Sequence, residues 1–279
     1  MTERVAVRAH SRRWAIAAFA VTLIVLFPFY WMVLTAMREE TAVFSYPPKI
    51  WPSDLAPHLL LKVLTTTDVL RWLGNTAIVA GTATLAVVPL AVLAAYALSR
   101  FRRRAVSLAA ILIVVTQMMP PVLLLVPYFI IFRELDLLDG LIGLILANFA
   151  WTLPVTAWLM KSAFDNVPAD LEEAALVDGC GRMGAIARIA VPLAMPGLAA
   201  ASVFAFVASW DEYFFARTLI ADSAHWVVSV GLGSFTGDYS TSWQQVMAVA
   251  TLSTLPPVVL FLFVQRAFVE NMSAGGLKG

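Results

Sequence analysis

The sequence has little charge and very little thiol or imidazole chemistry. Charged side chains make up 13% of its 279 residues, against about 25% in an average soluble domain. A single cysteine, Cys180, excludes a disulfide within the chain. The three histidines, His10, His58 and His225, are far apart and lack the spacing of metal ligands. The net charge of +1 indicates no nucleic-acid partner.

Motifs for nucleotide binding and for hydrolysis are also missing. No G-x-x-x-x-G-K-[S/T] is present, and the glycine-rich stretch 231–237 has no lysine, so we expect no ATP in a phosphate loop of this chain. Ser234 and His225 share a loop, but no G-x-S-x-G frames the serine, which argues against an intramembrane hydrolase. We therefore expect no catalytic residue, no metal and no cofactor on this chain.

Apolar residues, in contrast, are abundant: they make up 61% of the sequence and give a mean hydropathy of +0.82. They fall in runs of the roughly 20 residues that a helix needs to cross a bilayer. Backbone polar groups in lipid must pair within their own segment, so each run is predicted to be a helix. The sequence thus predicts an all-α membrane protein with six transmembrane helices. They are placed at 14–36, 75–99, 105–130, 141–161, 195–216 and 244–265.

Lysine and arginine are distributed unevenly between the loops. They are dense before the first span, in the segment 100–104, in the loop 162–194 and after the last span, and sparser in the other loops. Since the basic side of a membrane protein is cytoplasmic, both termini are predicted to be cytoplasmic. A secondary transporter should carry charges at mid-bilayer and show repeat symmetry, and neither is visible in this sequence.

Small residues recur at helical spacing in two of the predicted spans. The fifth span has Ala201, Ala205 and Ser209, and the second has Ala77 and Gly81. Faces of this kind let membrane helices approach each other closely. We expect them to serve ordinary packing of the helix bundle.

The loop at 162–194 is longer and more strongly patterned than a plain connection. Asp170 is predicted to cap a helix, with Glu173 at the capping-box position, and Gly179 and Gly181 are predicted to end it. The result is a helix of about two or three turns, too short to be stable alone. The pattern by itself leaves open whether this helix docks on another protein or rests on its own bundle.

The run from Glu173 to Gly179 reads E-A-A-L-V-D-G, and Ile189 to Leu193 follow it as I-A-V-P-L. This pattern resembles the EAA loop of the permeases of ABC importers, which reads E-A-A-x-x-D-G and, after a fixed gap, I-x-L-P. Three positions depart from the family pattern, and each keeps a small or apolar side chain. They are Cys180, Ile186 and Val191.

Further motifs resemble the carbohydrate-type branch of that family, and the pattern is nearest to the maltose-type permeases. They are Asn75-Thr76, Ala95 to Arg100, Met119-Pro120, Pro127-Tyr128, Trp210 to Tyr213, and the tail from Ala274 to Gly279. In that branch asparagine usually stands where this chain has Asp211. These motifs do not specify a substrate, so an ABC importer permease for a polyamine, a peptide or a glycerol phosphate is the alternative to a sugar permease.

The resemblance implies a type I ABC importer permease fold in the bacterial inner membrane, with the lipid bilayer around it. It also implies a second permease subunit in a heterodimer, two ATPase subunits that bind ATP and magnesium, and an extracytoplasmic sugar-binding protein. The helix at 172–182 would couple this chain to an ATPase subunit. The residues expected to take part in ATPase coupling are Glu172, Glu173, Ala174, Ala175, Asp178, Gly179, Arg182 and Pro192.

On this interpretation the chain has four parts. Residues 1–13 form a cytoplasmic N-terminal segment, and 14–74 form the first span and an outer loop. Residues 75–266 form the permease core of five spans, with the coupling loop at 162–194. Residues 267–279 form a cytoplasmic tail that is expected to reach toward the ATPase interface.

Asp211 and Glu212 are the acids nearest the interior of a predicted span. Carboxylates accept hydrogen bonds from sugar hydroxyls, and aromatic rings pack on sugar faces. The motif Trp210-Asp211-Glu212-Tyr213 is therefore a candidate for the substrate path. Because Asp211 falls near the outer end of its span, a structural pair at the interface is the alternative. The weaker candidates for the path are Asn148, Trp151 and Gln117.

Overall fold

The computed structural model of the chain describes residues 2–51, 54–237 and 241–275, with side chains from Trp14 to Gln265 within those ranges. In these residues the expected all-α class is confirmed, and the only extended pairing is an isolated antiparallel bridge between Thr236 and Thr241. The helices, numbered along the chain, are α1 Thr2–Ala36, α2 Glu40–Val43, α3 His58–Thr66, α4 Val69–Arg100, α5 Arg104–Met118, α6 Leu125–Glu134, α7 Leu141–Asp165, α8 Ala169–Val177, α9 Arg182–Ala185, α10 Val191–Trp210, α11 Phe214–Leu219, α12 Val228–Gly233 and α13 Trp243–Gly275.

Five helical stretches are long and apolar enough to cross a membrane, and a bent helix pair makes a sixth if it counts as one span. The five stretches are Trp14–Ala36, Val69–Arg100, Leu141–Asp165, Arg182–Leu219 and Trp243–Gln265. The bent pair is Arg104–Met118 with Pro121–Glu134. Each of them covers one of the six predicted spans, in the same order.

The third predicted span, 105–130, is not one straight helix. α5 stops at Met118, a 3₁₀ turn covers Pro121–Leu124, and α6 then leaves at an angle of 99°. Met119 and Pro120 both have extended backbone angles, because a residue that precedes proline is pushed out of the helical region. The bend therefore falls at a proline pair that disfavours a continuous helix.

The fifth predicted span, 195–216, is also interrupted. α9 passes through a π-helical turn at Ile186–Ala190 into α10, which ends at Trp210. The short helix α11 follows only at Phe214. A π turn just before Pro192 fits the chemistry of proline, which has no N–H to serve the carbonyl of a regular α turn.

The described chain forms two compact units by its internal contacts. One comprises Leu70–Gly231 with the chain from Leu255, and the other comprises the chain up to Val69 with Leu232–Thr254. In the second unit, Glu40 accepts hydrogen bonds from the backbone N–H groups of Trp243 and Gln244, at 3.0 and 3.1 Å. These bonds satisfy free donors at the start of α13. The four-part division predicted from the sequence stays a prediction.

Small residues let α4, α7 and α10 pack closely in the first unit. Ala201, Ala205 and Ser209 are buried, as their spacing predicts. A Cβ on Gly197 would lie 2.2 Å from the Cβ of Ala163, so glycine is needed for α10 to approach α7. On α4 a different face is used, because Ala77 is exposed. The buried side chains of these helices and of the π turn form a first apolar cluster. It consists of Val87, Ala91, Ala95, Tyr96, Ala157, Met160, Phe164, Val167, Ile186, Ala190, Ala194, Leu198, Ala201 and Ala205.

A second apolar cluster in the same unit surrounds Phe215 of α11. The ring of Tyr128 stacks on it with centroids 5.1 Å apart, and the ring of Trp151 meets it edge-on at 6.2 Å. The buried members of this cluster include Val79, Leu144, Ala147, Leu219, Ile220, Val227 and Val230. α4 and α7 contribute to both clusters, so they run the length of this core.

The motif Asn75-Thr76 holds a loop onto α4. The Asn75 side-chain amide donates to the carbonyls of Ala224 and Trp226, at 3.1 and 2.9 Å. The Thr76 hydroxyl accepts the backbone N–H of Val228 at 2.9 Å. These bonds satisfy backbone groups that would otherwise lie unpaired beside the apolar cluster.

Candidate functional site

The helix α8, Ala169–Val177, lies in the loop that carries the EAA pattern. Its start differs from the prediction: Pro168 stands at the N-cap without a side-chain cap bond, and Asp170 lies in the first turn. No capping box forms with Glu173. The physical reason is Pro168, which cannot be preceded by helical backbone at Val167 without strain and is well suited to begin a helix. Only Asn166, Val167 and Pro168 separate α8 from the end of α7.

The end of α8 confirms the predicted role of Gly179. Its φ is +84°, a left-handed conformation that glycine adopts without the steric cost of a Cβ. The N–H of Gly179 donates to the carbonyl of Leu176 at 3.1 Å, and the N–H of Cys180 donates to that of Ala175 at 2.9 Å. This is the Schellman pattern of a helix end, so the chain reverses sharply before α9.

Glu172 points into the bundle and is 5% exposed. Its carboxylate accepts the hydroxyl hydrogen of Tyr96 at 2.7 Å and two N–H groups of Arg100, from Nε at 2.9 Å and from Nη2 at 2.7 Å. Arg100 also donates to the carbonyl of Val167 at 2.8 Å. We call this arrangement of Tyr96, Arg100, Val167 and Glu172 the Glu172 clamp. It was not foreseen from the sequence, where Tyr96 and Arg100 were only markers of a branch.

The clamp changes the interpretation of Glu172. Glu172 is expected from the sequence to take part in ATPase coupling, and that expectation stays a prediction. Both oxygens of its carboxylate are occupied inside the chain. Burial of an ion pair is tolerated only where hydrogen bonds satisfy the remaining polar atoms, and the Tyr96 hydroxyl does so here. Through these bonds Glu172 holds α8 against α4.

A second ion pair extends the attachment between α4 and α7. Lys161 donates to Asp165 at 2.6 Å, and the Ser99 hydroxyl donates to the other oxygen of the same carboxylate at 2.7 Å. Arg100 donates in turn to the Ser99 hydroxyl at 3.2 Å. The ends of α4 and α7 and the start of α8 are thus joined by continuous polar contacts.

The opposite face of α8 is open. Glu173, Ala174, Asp178 and Gly179 are exposed, and Ala175 is half-buried. Large apolar side chains join them: Val177 is 88% exposed and Met183 is 66% exposed. Arg182 is exposed and lies over the ring of Phe101 at 5.1 Å, and Pro192 is exposed at the start of α10. Large apolar side chains exposed among polar ones are typical of a surface that contacts a protein or a membrane.

Three of the seven candidates for a substrate path have structural partners. Trp210 is 2% exposed and stacks on Phe206. The carboxylate of Glu212 accepts the N–H groups of Phe215 and Ala216, at 2.7 and 2.9 Å, and so satisfies the first turn of α11. Trp151 packs on Phe215. These contacts favour the structural alternative for Trp210, Glu212 and Trp151.

The other four candidates for the substrate path have fewer contacts with the described chain. Asp211 and Tyr213 are exposed where α10 ends, next to Trp210 and Glu212. Gln117 is half-buried near the end of α5. Asn148 is fully buried and donates to the carbonyl of Leu144 at 2.9 Å, but its Oδ1 has no hydrogen-bond partner within the described chain.

Two further buried hydroxyls share the condition of Asn148. Thr84 on α4 and Ser209 on α10 have side-chain oxygens with no hydrogen-bond partner within the described chain. An unpaired buried polar atom costs about 1–3 kcal/mol. The sequence reading selected only Asn148, because a lone Thr or Ser in a span packs in the same way as a small apolar residue.

Two predicted features lie outside the described structure. Residues 276–279 of the tail motif are not among the described residues, and the side chains of the N-terminal arginines are not described.

The grouping of His, Cys, Asp and Glu needed for a metal ion is not found in the described part of the chain.

Comparison with known proteins gives a family and several relatives. A family model described as "binding-protein-dependent transport system inner membrane component" matches residues 87–274. The sulfoquinovosyl glycerol transport system permease protein SmoH of Agrobacterium fabrum is 34% identical over 91% of this chain and 89% of its own length. The trehalose/maltose transport system permease protein MalG of Thermococcus litoralis is 32% identical over 95% of each.

A solved structure has the same fold. A chain of a bacterial ABC transporter involved in the import of the acidic polysaccharide alginate superimposes with a TM-score of 0.75. The alignment covers 94% of this chain and 97% of that chain, at 23% sequence identity. At 23% identity the similarity shows a shared fold and nothing further.

Proposed function

This chain belongs to the family of inner membrane components of binding-protein-dependent transport systems, and on that premise we propose that it forms half of the membrane pathway of a carbohydrate importer. As a member of this family it is a multi-pass permease of the inner membrane. Relatives named for trehalose, maltose and sulfoquinovosyl glycerol match more than nine tenths of the chain. Their names support a sugar over a polyamine, a peptide or a glycerol phosphate.

The partners follow from the same proposal. A second permease subunit completes the pathway, and two ATPase subunits bind and hydrolyse ATP with magnesium. A related structure is a complex of an alginate transporter with a periplasmic protein that holds an alginate pentasaccharide, which supports delivery of the substrate by a binding protein. In this arrangement both termini and α8 lie on the cytoplasmic side, as the loop charges indicate.

The observation that carries the coupling proposal is the two-sided character of α8. Its inner side is fixed to α4 by the Glu172 clamp, and its outer side exposes Glu173, Ala174 and Val177. A helix held in this way cannot move without moving the ends of α4 and α7. An ATPase subunit that binds the exposed side in one conformation better than in another would therefore shift the permease between its states.

Substitutions on the exposed side test this proposal. Glu173→Lys reverses a charge on that face, and Gly179→Asp places a Cβ at φ +84°. We expect both variants to insert and to assemble poorly with the ATPase, or to hydrolyse ATP without transport. Uptake and ATP hydrolysis are measured together in proteoliposomes that hold the complete complex and a substrate-loaded binding protein.

The control is Glu134→Lys, the same charge reversal on an exposed residue at the end of α6. It should transport normally, since Glu134 takes part in none of the hydrogen bonds that attach α8 to the rest of the chain. Normal transport by Glu173→Lys would rule out the coupling surface.

A further inference from the structure

The connection between α4 and α5 holds a basic cavity. The cavity measures about 710 Å³, within the range of ligand pockets. Its charged lining comes from three consecutive arginines and one lysine: Arg102, Arg103, Arg104 and Lys161. Its apolar lining includes Leu98, Val106, Leu108 and Ile111.

The side chains of the three arginines differ from those of the basic residues around them. Nearby basic residues have partners: Arg100 pairs with Glu172, Lys161 pairs with Asp165, and Arg182 lies over Phe101. In contrast, Arg102, Arg103 and Arg104 are exposed and make no ion pair within the described chain. Positive side chains at the start of a helix are unfavourable for the helix itself. The stability of α5 therefore does not explain them.

An apolar groove continues from the cavity along the two helices. It measures about 280 Å³ and shares Leu98 and Val106 with the basic cavity. Small residues open it on both sides, Ala94 and Ala97 on α4 and Ala105 and Ala109 on α5. The basic cavity thus continues directly into the apolar groove on the surface of α4 and α5.

We propose that this surface binds an anionic phospholipid of the cytoplasmic leaflet, with its phosphate among Arg102, Arg103 and Arg104 and an acyl chain in the groove between α4 and α5. Charge complementarity selects the occupant, because basic pockets at the cytoplasmic ends of membrane helices bind anionic headgroups. The groove decides between a lipid and a soluble phosphate, since only a lipid fills both parts. The assignment of the lipid to the cytoplasmic leaflet depends on the proposed orientation of the chain, whereas the proposed lipid binding does not.

A bound lipid at this place would also stand beside the transport machinery. Arg102 follows Arg100 of the Glu172 clamp by two residues, and Lys161 is bonded to Asp165 at the end of α7. A headgroup in the cavity would order the 101–103 connection and thereby the end of α4. The lipid would thus stabilise the segment to which α8 is attached.

The test is native mass spectrometry of the purified full-length chain, titrated with dioleoyl phosphatidylglycerol, dioleoyl phosphatidylcholine or soluble glycerol phosphate. We expect phosphatidylglycerol to bind in preference to phosphatidylcholine, and glycerol phosphate not to bind measurably. The triple variant Arg102→Gln, Arg103→Gln, Arg104→Gln should bind phosphatidylglycerol roughly a hundredfold more weakly, because each basic residue contributes about fivefold. The matching lysine triple should retain most of the binding.

Two controls separate this site from general attraction to a cationic protein. The variant Lys62→Gln, Arg133→Gln, Arg217→Gln removes the same charge from exposed positions elsewhere and should bind as the unmodified chain does. The variant Ala109→Trp fills the groove, keeps every arginine and should weaken lipid binding. Equal losses in the two glutamine triples, or binding of glycerol phosphate as strong as that of the lipid, would overturn the proposal. Transport is not measured, so the outcome is independent of the proposed function.

Discussion

At the scale of single residues, two adjacent glutamates of α8 have opposite surroundings. Successive residues of a helix are rotated by about 100°, so Glu172 and Glu173 face different sides. Glu172 is buried against Tyr96 and Arg100, whereas Glu173 is exposed. The sequence shows that acids are present at both positions, but only the fold tells which of them is exposed.

The pair supplies its own matched experiment. Glu172→Gln removes the charge that balances Arg100 and should lower the free energy of unfolding by about 3 kcal/mol, as expected when one partner of a buried pair is removed. Glu173→Gln, the same change on an exposed neighbour, should alter it by less than about 0.5 kcal/mol. Thermal unfolding of the chain in detergent measures both. Equal effects of the two substitutions would mean that the clamp does not hold α8.

Asp139 gives a pH-dependent prediction at the same scale. Its carboxylate accepts the backbone N–H groups of Ala221 and Asp222, and these bonds hold the pKa of Asp139 below its ordinary value. A lowered pKa in the folded state stabilises the fold above the pKa of the unfolded state. That stabilisation is lost as the pH falls from the pKa of an unfolded aspartate to the lower pKa of Asp139 in the folded chain.

Asp139→Asn should therefore destabilise the chain at neutral pH and have little effect at a pH below the folded pKa. Asp136→Asn is the control, because Asp136 lies in the same loop with a similar left-handed φ, +52° against +55° for Asp139. Unfolding midpoints across acidic and neutral pH are compared for both variants. A difference between Asp139→Asn and the unmodified chain that persists at the lowest pH would contradict the assignment.

At the scale of helices, the sequence predicts existence and order better than shape. All six apolar runs correspond to helical stretches because length and hydropathy are local properties. The end of α8 was predictable for the same reason, since Gly179 is a local signal. The clamp was not predictable, because Arg100 and Glu172 are distant in sequence and meet only through the packing of α4 and α7. The start of α8 was misplaced because Pro168 took precedence over the capping signal of Asp170.

The bend between α5 and α6 is a property of one proline pair and can be tested as such. Replacing Pro120 and Pro121 with alanine restores two backbone donors and removes the steric restriction on Met119. We expect α5 and α6 to straighten, which increases the distance between spin labels at Leu112 and Ile130. Pro127→Ala, within α6, is the control and should leave that distance unchanged. An unchanged distance in the double variant would mean that packing, and not the prolines, sets the 99° bend.

At the scale of the whole molecule, the sequence shows neither a phosphate loop nor a repeat with charges at mid-bilayer. We therefore expect reconstituted permease without ATPase subunits to take up no sugar when an ion gradient is imposed. Adding the ATPase subunits, ATP and the loaded binding protein should start uptake. Accumulation of radiolabelled sugar in proteoliposomes measures both conditions. Uptake driven by the gradient alone would make this chain a secondary transporter.

The short join between α7 and α8 limits where the chain can change length. It consists of Asn166, Val167 and Pro168 only, and Arg100 donates a hydrogen bond to the carbonyl of Val167. An added glycine there would lengthen the join, and α8 could then move without moving the ends of α4 and α7. Insertions, deletions and reporter tags are consequently excluded from this join, even though it is a surface loop of the kind that usually accepts them.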